Sequence, residues 1–238
     1  MTYSWASGSH VGRIRSSNED SVHPTSAGTG DELLAVVADG MGGAAAGEVA
    51  SATALDAVLA ADTDIAERVR SANRAVHALA TAKRELAGMG TTVTAVRLSA
   101  DGTAKFGHVG DSRAYLLREG ELRQLTADHT VVAEWMAAGA ITSDEAKTHP
   151  RRGMLTRSVG VAPEVVVDTF TEHVRPGDRL LLCSDGLNGM VGDDDIATVL
   201  GEGDPEVAVW GLIEAANSAG GHDNVTTVII FAPLTVLI

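Results

Sequence analysis

The sequence predicts an α+β fold with four layers, α-β-β-α, in which helix pairs flank a central antiparallel β-sandwich. Helical patterns come in blocks between groups of short strands and do not alternate with single strands, which argues against a parallel βαβ arrangement. Turn dipeptides such as Asp101-Gly102 and Glu119-Gly120 separate the strands, as is typical of antiparallel connections. Two sheets packed face to face, with helices outside, are the layers that this order favours.

The first half of the chain supplies a strand and a helix pair. The run LLAVVA predicts a first strand at about Leu33 to Ala38, and the alanine-rich segment after it predicts a helix at about 47–61. Apolar residues recur at helical spacing over about 64–86, which predicts a second helix. We expect this pair to cover one face of a sheet.

The second half reads as short strands with a helical insertion. TTVTAVRL, TAKFGHV, RAYLL and ELRQL predict an antiparallel meander, in which Gly110-Asp111 joins the second strand to the third. A polar, mainly helical insertion follows at about 129–152, with Ser143 as a helix N-cap. VVVDTF and DRLLLCS, separated by Pro176-Gly177, predict a further hairpin. Two short helices, starting near Asp193 and Pro205, precede the final strand VTTVIIF.

Composition narrows the class of protein. A length of 238 residues suits one domain, so we expect residues 1–238 to form a single domain. The 18 basic and 32 acidic residues give a formal charge of −14, which argues against nucleic-acid binding. No apolar run approaches the ~20 residues of a membrane span, and the single Cys183 fits a reducing compartment. We therefore expect a cytoplasmic monomer that binds neither nucleic acid nor membranes.

Three aspartates stand beside sharp turns at the ends of apolar runs that are far apart in the chain. Asp39 follows LLAVVA, Asp185 follows RLLLCS, and Asp223 precedes VTTVIIF. One such aspartate is ordinary turn chemistry, but three would converge if their strands are neighbours. Converging carboxylates repel one another or share hard divalent cations. The pattern predicts a metal site with oxygen ligands, which favours Mg²⁺ or Mn²⁺ over a thiolate-bound zinc.

A charged loop near the start of the chain supplies further candidates. The segment GRIRSSNEDS contains Arg15, Glu19 and Asp20. On their own these residues read as a charged loop. Beside a metal site, Arg15 would be a bidentate fork for phosphate, and Glu19 and Asp20 would hold water molecules on the metal.

An ordered set of motifs carries a family resemblance. After GRIRSSNEDS come VVADGMGGAAAGEVAS, HVGDSRAYL, LTADHT, LTRSVG, LLLCSDGL and GHDNVTTV, so that the set runs from Gly12 to about Phe231. Each fragment is weak alone, but the ordered set is specific. The chain resembles the compact bacterial form of the metal-dependent PP2C-type (PPM) protein serine/threonine phosphatases. The resemblance implies hydrolysis of phosphoserine and phosphothreonine in phosphorylated proteins that are substrates of serine/threonine kinases.

The resemblance also implies a pair of Mn²⁺ or Mg²⁺ ions and their ligands. Asp39 looks like the carboxylate that bridges both metals, and the backbone carbonyl of Gly40 looks like a ligand of one. Asp185 and Asp223 match the aspartates that complete the shell of the other metal. A water or hydroxide that bridges the two ions would then attack phosphorus directly, without a phosphoenzyme.

The remaining motif residues match the edge of this metal centre. Glu19 and Asp20 match the acidic pair that contacts the second metal, directly or through water, and Arg15 matches the phosphate-binding arginine. Asp111 matches a ligand of a third, weaker metal site, although an acid that helps hold that metal in relatives is replaced here by Gly189. The segment at about 129–155 matches the family's flap beside the active site.

Three alternatives stand beside this reading. Gly40, Gly42 and Ala45 fit a nucleotide-binding G-x-G-x-x-A pattern, but Asp39 would repel the pyrophosphate, and a second helix follows where a parallel strand is required. A cysteine phosphatase with Cys183 as nucleophile is the second alternative, but such enzymes carry an arginine six residues after the cysteine, and that position is Gly189. A catalytically inactive binding module of the same fold is the third alternative, and the complete carboxylate set argues against it.

Catalytic groups other than the metal ligands are harder to assign from the sequence. Met41 occupies the position where some relatives carry a histidine as general acid, so the proton donor is unassigned. His108, His129 and His222 lie within the motifs, and we expect them to be structural.

Overall fold

Two antiparallel β-sheets form the centre of the molecule. The computed structural model describes residues 1–42 and 46–233, so Ala45 of the nucleotide-binding pattern lies outside the described residues. The strands of the described residues, numbered in chain order, are β1 (Tyr3–His10), β2 (Asp20–His23), β3 (Gly28–Gly30), β4 (Leu33–Met41), β5 (Gly90–Thr91), β6 (Val93–Leu98), β7 (Thr103–Val109), β8 (Arg113–Arg118), β9 (Glu121–Gln124), β10 (Asp168–His173), β11 (Arg179–Cys183) and β12 (Val225–Phe231). One sheet has the order β3-β1-β12-β11-β8-β9, and the other has the order β10-β7-β6-β4-β2, with β5 paired to the end of β4.

Helices cover the outer face of each sheet. The α-helices of the described residues are α1 (Ala46–Ala60), α2 (Ile65–Ala82), α3 (Val131–Ala137), α4 (Ser143–Thr148), α5 (Asp185–Asn188), α6 (Asp193–Gly201) and α7 (Pro205–Ser218). α1 and α2 pack on the sheet that contains β4, and α5, α6 and α7 pack on the sheet that contains β12. The predicted four-layer α+β fold is confirmed. None of the helices described is long and apolar enough to cross a membrane.

Successive residues of the central strands enter different apolar layers. In β11, Leu180 and Leu182 pack between the two sheets, whereas Leu181 and Cys183 pack under the helices. A strand that is buried on both faces needs a continuous apolar run, which explains RLLLCS. Burial also raises the pKa of the Cys183 thiol to about 12, so this cysteine is a core residue and not a nucleophile.

Two predicted strand pairings are wrong. The strands joined by the turns at 110–111 and 176–177 were expected to pair as hairpins, but in each case the two strands lie in different sheets. The pairs β6–β7 and β8–β9 form as predicted, but β7 and β8 lie in different sheets, as do β10 and β11. β8 and β11 are buried on both faces and belong inside a sheet under helices, whereas β10, which begins only at Asp168, alternates between exposed and half-buried residues. A turn signal indicates where the chain reverses, but not which sheet takes the next strand.

Other differences from the sequence prediction are local. Strands β1, β2 and β3 precede the run predicted as the first strand; β1 carries serine and glycine among its apolar residues, which hides its pattern. The N-cap of α4 is Thr142, one residue before the predicted Ser143. Thr142 and Glu145 form a capping box, in which each side chain accepts a hydrogen bond from the other's backbone N–H.

Candidate active site

Five aspartates lie at one end of the sandwich, on turns and strand ends of both sheets. Asp20 and Asp39 are paired across β2 and β4. Asp185 follows β11 at the start of α5, Asp223 precedes β12, and Asp111 lies in the turn that leads from β7 to β8. Because β11 and β12 are antiparallel neighbours, the end of one lies beside the beginning of the other. The structure therefore brings together the carboxylates that the sequence places far apart.

These carboxylates disfavour each other's ionised form. Burial raises the pKa of Asp39 well above its ordinary value, and the other four aspartates all add to that shift. Burial raises the pKa of Asp20 to about 7 and that of Asp111 to about 8, with a further contribution from Asp185 in both cases. The pKa of Asp185 is raised by burial and by Asp223. Asp39, which interacts with all the others, is the electrostatic centre of the cluster.

The donor atoms of this cluster suit a hard divalent cation. Among the residues described, Oδ1 of Asp20 is buried and has no hydrogen-bond partner, which is costly unless a ligand binds it. Carboxylate and carbonyl oxygens are the ligands that Mg²⁺ and Mn²⁺ prefer. Within residues 1–42 and 46–233, no group of three acidic, histidine or cysteine side chains is already placed to hold a metal ion.

Two glycines hold Glu19 and the Gly40 carbonyl close together. The backbone N–H of Gly40 donates to the carbonyl of Glu19 at 3.1 Å. A methyl group on Gly40 would lie 2.0 Å from the carbonyl oxygen of Gly47, in the first turn of α1. A methyl group on Gly47 would lie 2.7 Å from Oε2 of Glu19 and 2.8 Å from the carbonyl oxygen of Gly40. Two of the predicted oxygen ligands therefore share a space that only glycine leaves open.

Arg15 and Asp223, which the sequence assigns to separate roles, contact each other. The guanidinium of Arg15 donates to Oδ2 of Asp223 at 2.8 Å, and the two side chains are 52% and 35% exposed. Oδ1 of Asp223 accepts from the backbone N–H of Asn224 at 2.8 Å. A guanidinium has five N–H donors, so the pairing leaves donors of Arg15 at the exposed edge of the carboxylate cluster.

Asn224 is a structural residue of the site that the sequence analysis misses. Its buried side chain accepts from the backbone N–H of Glu19 at 2.8 Å and donates to the carbonyls of Val11 and Ser17, each at 2.9 Å. These bonds fix the loop that carries Arg15 to the strand end that carries Asp223. The only sequence signal for this role is the dipeptide Asp223-Asn224, which is equally typical of a simple turn.

A network of hydroxyl groups holds the backbone of Asp39. Its N–H donates to Oγ1 of Thr92 at 2.9 Å, and its carbonyl accepts from Oγ1 of Thr91 at 2.8 Å. Oγ1 of Thr92 also contacts Oγ of Ser112 at 2.7 Å, and Ser112 follows Asp111 directly. The central carboxylate and the turn that carries Asp111 are thus braced by the same buried threonine.

The flap segment, residues 129–155, begins and ends beside this turn. His129 and Gly110 exchange two hydrogen bonds, from the His129 N–H to the Gly110 carbonyl at 2.8 Å and from the Gly110 N–H to Nδ1 of His129 at 3.0 Å. The N–H of Thr156 donates to the carbonyl of His129 at 2.9 Å. His129 therefore joins the two ends of the segment, which is the structural role expected for it.

His108 is also structural, whereas His222 is not part of the core. His108 is buried, with Nδ1 2.9 Å from Oγ1 of Thr94 and Nε2 3.1 Å from the carbonyl of Ala127. Burial lowers its pKa to about 4, so it remains neutral near pH 7. His222 is exposed on the loop before Asp223.

Comparison with known proteins shows the family. The family model for protein phosphatase 2C matches residues 8–204. The chain belongs to the protein phosphatase 2C family. It is 43% identical over 236 residues to the serine/threonine protein phosphatase PstP of Mycobacterium tuberculosis, covering 94% of this chain and 44% of that protein. It is 37% identical over 238 residues to the serine/threonine phosphatase stp of Listeria monocytogenes, covering 94% of both chains.

Solved structures of this family share the whole fold. The crystal structure of PstP/Ppp from Mycobacterium tuberculosis has a TM-score of 0.90 at 39% identity and covers 98% of this chain and 100% of that one. The catalytic domain of PstP, solved in complex with two manganese ions, has a TM-score of 0.86 at 38% identity, with 97% and 98% covered. The chain spans less than half the length of the full mycobacterial protein.

We predict that the metal-free protein becomes less stable as the pH rises. Groups such as Asp20 and Asp111, whose pKa is about 7 and 8 when folded, bind protons more tightly in the folded state than in the unfolded state. Their contribution is complete below the ordinary carboxyl range and is lost as pH rises through those values. Scanning calorimetry in chelator should show the melting temperature falling from about pH 6 to about pH 9. Added Mn²⁺ should raise it most at the high end, because cations bind the ionised form.

A variant pair tests this origin of the pH dependence. Asp111→Asn should flatten the fall, whereas Asn at the exposed turn residue Asp101 should not. A melting temperature in chelator that rises over this interval would contradict the prediction.

We also predict that Asn224→Ala lowers the free energy of unfolding by about 1–3 kcal/mol, because it leaves buried backbone groups of the Arg15 loop unpaired. Urea unfolding at constant pH measures this change. Asn188→Ala is the control: this residue is half-buried, and among the described residues its side chain has only a 3.9 Å hydrogen-bond contact, with the Cys183 thiol. It should change the free energy of unfolding by less than about 1 kcal/mol. Equal effects of the two substitutions would count against the loop clamp.

Proposed function

We propose that this chain is a metal-dependent protein phosphatase that hydrolyses phosphoserine and phosphothreonine monoesters by direct attack of water, without a phosphoenzyme. One observation carries the proposal: five aspartates from both sheets, Asp111 buried and the other four half-buried, meet at one end of the sandwich, with Arg15 at their edge. Such a cluster is unfavourable by itself, and it has the oxygen donors that divalent cations bind. The serine/threonine phosphatase names of PstP and stp support the substrate class.

The residues of the site divide naturally between two cations. Asp39, at the centre of the cluster, would contact both, with the Gly40 carbonyl as a ligand of one. Asp185 and Asp223 would complete the shell of the other, and Glu19 and Asp20 would bind directly or through water. When bound, the two ions supply an activated water as nucleophile and neutralise charge on the phosphoryl oxygens. The PstP complex with two manganese ions supports this number of ions.

A third ion is the weaker part of this assignment. Asp111 is the buried member of the cluster and is a candidate ligand. Gly189 contributes no side-chain oxygen at the position where relatives carry an acid. We therefore propose that two ions are required for function. A third ion, with Asp111 as a ligand, would be an accessory to them.

Arg15 is the residue that would bind the phosphate of the substrate. Its guanidinium is half exposed and is held beside the carboxylates by Asp223. Its remaining N–H donors suit two phosphoryl oxygens at once. Met41 has no proton to give, and no residue is assigned as the proton donor to the leaving serine or threonine oxygen.

Substrates in this proposal are phosphorylated proteins, the products of serine/threonine kinases. The flap segment, which is polar and largely exposed over 133–153, would contact them beside the site. The single domain over residues 1–238, the monomeric state, the cytoplasmic location and the lack of nucleic-acid or membrane binding stay predictions. The inactive binding module remains the alternative, and the intact carboxylate set counts against it.

We predict that Asp39→Asn and Asp223→Asn each reduce turnover of an aryl phosphate by at least about 100-fold, because the metal pair loses a negative ligand. The assay is release of p-nitrophenol with Mn²⁺ and again with chelator. Asp101→Asn, a change of the same kind at an exposed turn, is the control and should be fully active. A wild-type protein that is inactive with Mn²⁺, or equally active in chelator, would rule out the proposed function.

We predict that Arg15→Ala mainly raises KM, by about 10- to 100-fold, because a charged hydrogen bond to the phosphate is lost in the ground and transition states alike. Steady-state kinetics at saturating Mn²⁺ separate KM from kcat. Arg13→Ala removes an exposed arginine from the same loop and should leave both constants within about twofold. A large fall in kcat at unchanged KM would assign Arg15 a different role.

A further inference from the structure

The two oxygens of the Asp20 carboxylate lie in different surroundings. Oδ2 accepts hydrogen bonds from Oγ of Ser184 at 2.8 Å and from Oγ1 of Thr226 at 2.6 Å. Oδ1 is buried and has no partner among the described residues. Both hydroxyl groups come from the opposite sheet, since Asp20 begins β2 whereas Ser184 follows β11 and Thr226 lies in β12. The contacts therefore also join the two sheets at the active-site end.

The direction of the Thr226 hydrogen bond follows from its neighbours. The side-chain oxygen of Asn18 accepts from the backbone N–H of Asp20 at 3.2 Å, so its amide nitrogen is the atom that donates to Oγ of Ser9 at 2.7 Å. Ser9, having accepted this bond, can donate its proton to Oγ1 of Thr226, 2.7 Å away. Thr226 then donates its own proton to Asp20.

The direction of the Ser184 hydrogen bond is set in a similar way. Its Oγ accepts from the backbone N–H of Thr226 at 3.0 Å. Its proton is left for Oδ2 of Asp20 at 2.8 Å, because the other acceptor within reach, the carbonyl of Asn224, is farther away at 3.4 Å. Two hydroxyl protons therefore converge on the same carboxylate oxygen.

We propose that Ser184 and Thr226 are positioning residues of the metal centre, whose hydroxyl groups hold Oδ2 of Asp20 so that Oδ1 stays in place as an oxygen ligand, directly or through water. This inference rests on the proposed metal-dependent function. Partners that orient a ligating carboxylate commonly change metal affinity 10- to 100-fold when they are removed. Without the hydroxyl pair, the Asp20 side chain is free to rotate, and ordering it again lowers the affinity.

The neighbouring residue Thr227 provides a matched control. It is buried in the same strand, and its Oγ1 has no hydrogen-bond partner within the part of the chain that the structure describes. Thr227→Val therefore removes a buried hydroxyl next to Thr226 without touching Asp20. Thr226→Ser keeps the hydroxyl that Thr226→Val removes and tests for rescue.

The experiment is a calorimetric titration of Mn²⁺ into the metal-free protein, with circular dichroism melts in chelator to confirm folding. We expect Ser184→Ala and Thr226→Val each to raise the Kd of at least one Mn²⁺ site by about tenfold or more. Thr226→Ser and Thr227→Val should stay within about twofold of the wild-type Kd. Should Ser184→Ala fail to fold, the three substitutions at residues 226 and 227 decide the question.

Asp20→Asn separates failure of this inference from failure of the proposed function. If Asp20→Asn raises the Kd tenfold while Ser184→Ala and Thr226→Val match the Thr227→Val control, the positioning role is overturned and the metal centre stands. If Asp20→Asn leaves the Kd unchanged, Asp20 is not part of the centre and the inference falls with it. A wild-type protein that does not bind Mn²⁺ overturns the proposed function as well.

Discussion

The structure depends on keeping several carboxylates side by side out of water. Burial and mutual repulsion both oppose ionisation of Asp39 and its neighbours, and no strand or turn would place them together for its own stability. The surrounding structure offsets this cost by rigid support. Backbone groups, hydroxyl groups and a neighbouring arginine fix the carboxylates so that they do not swing apart. The braced end of the sandwich therefore also has the chemistry of a metal site.

The site exists only when both halves of the sandwich are assembled. Asp20 and Asp39 belong to one sheet, Asp185 and Asp223 flank strands of the other, and Asp111 lies on the crossing between the sheets. Apolar packing between the sheets supplies the energy that brings these ends together. A strand that joined the wrong sheet would therefore also dismantle the cluster.

Sequence patterns predict the layers and the meeting of Asp39, Asp185 and Asp223, because both follow from local rules. A strand buried on two faces needs an unbroken apolar run, and the aspartates stand at the ends of such runs. Three features of the structure were not predicted from the sequence. Sheet membership of β8 and β11 depends on distant partners, β1 hides its apolar alternation among serines and glycines, and Gly47 matters only because Glu19 and Gly40 approach it. The role of Asn224 was missed for a related reason, since its hydrogen-bond partners lie more than 200 residues away. Contacts between remote parts of the chain leave no periodic trace.

The closed base of the flap segment has a consequence for how such proteins diversify. Thr156 is hydrogen-bonded to His129, and His129 is hydrogen-bonded to Gly110. The N–H of Val131 also donates to the carbonyl of Met154 at 2.9 Å. The chain thus leaves the sandwich and returns to it at a single point. The residues between these anchors can therefore differ in length and charge without a change in the hydrogen bonds at the base. Under the proposed function, in which this segment contacts the substrate, substrate choice would be separable from the residues that hold the metal ions.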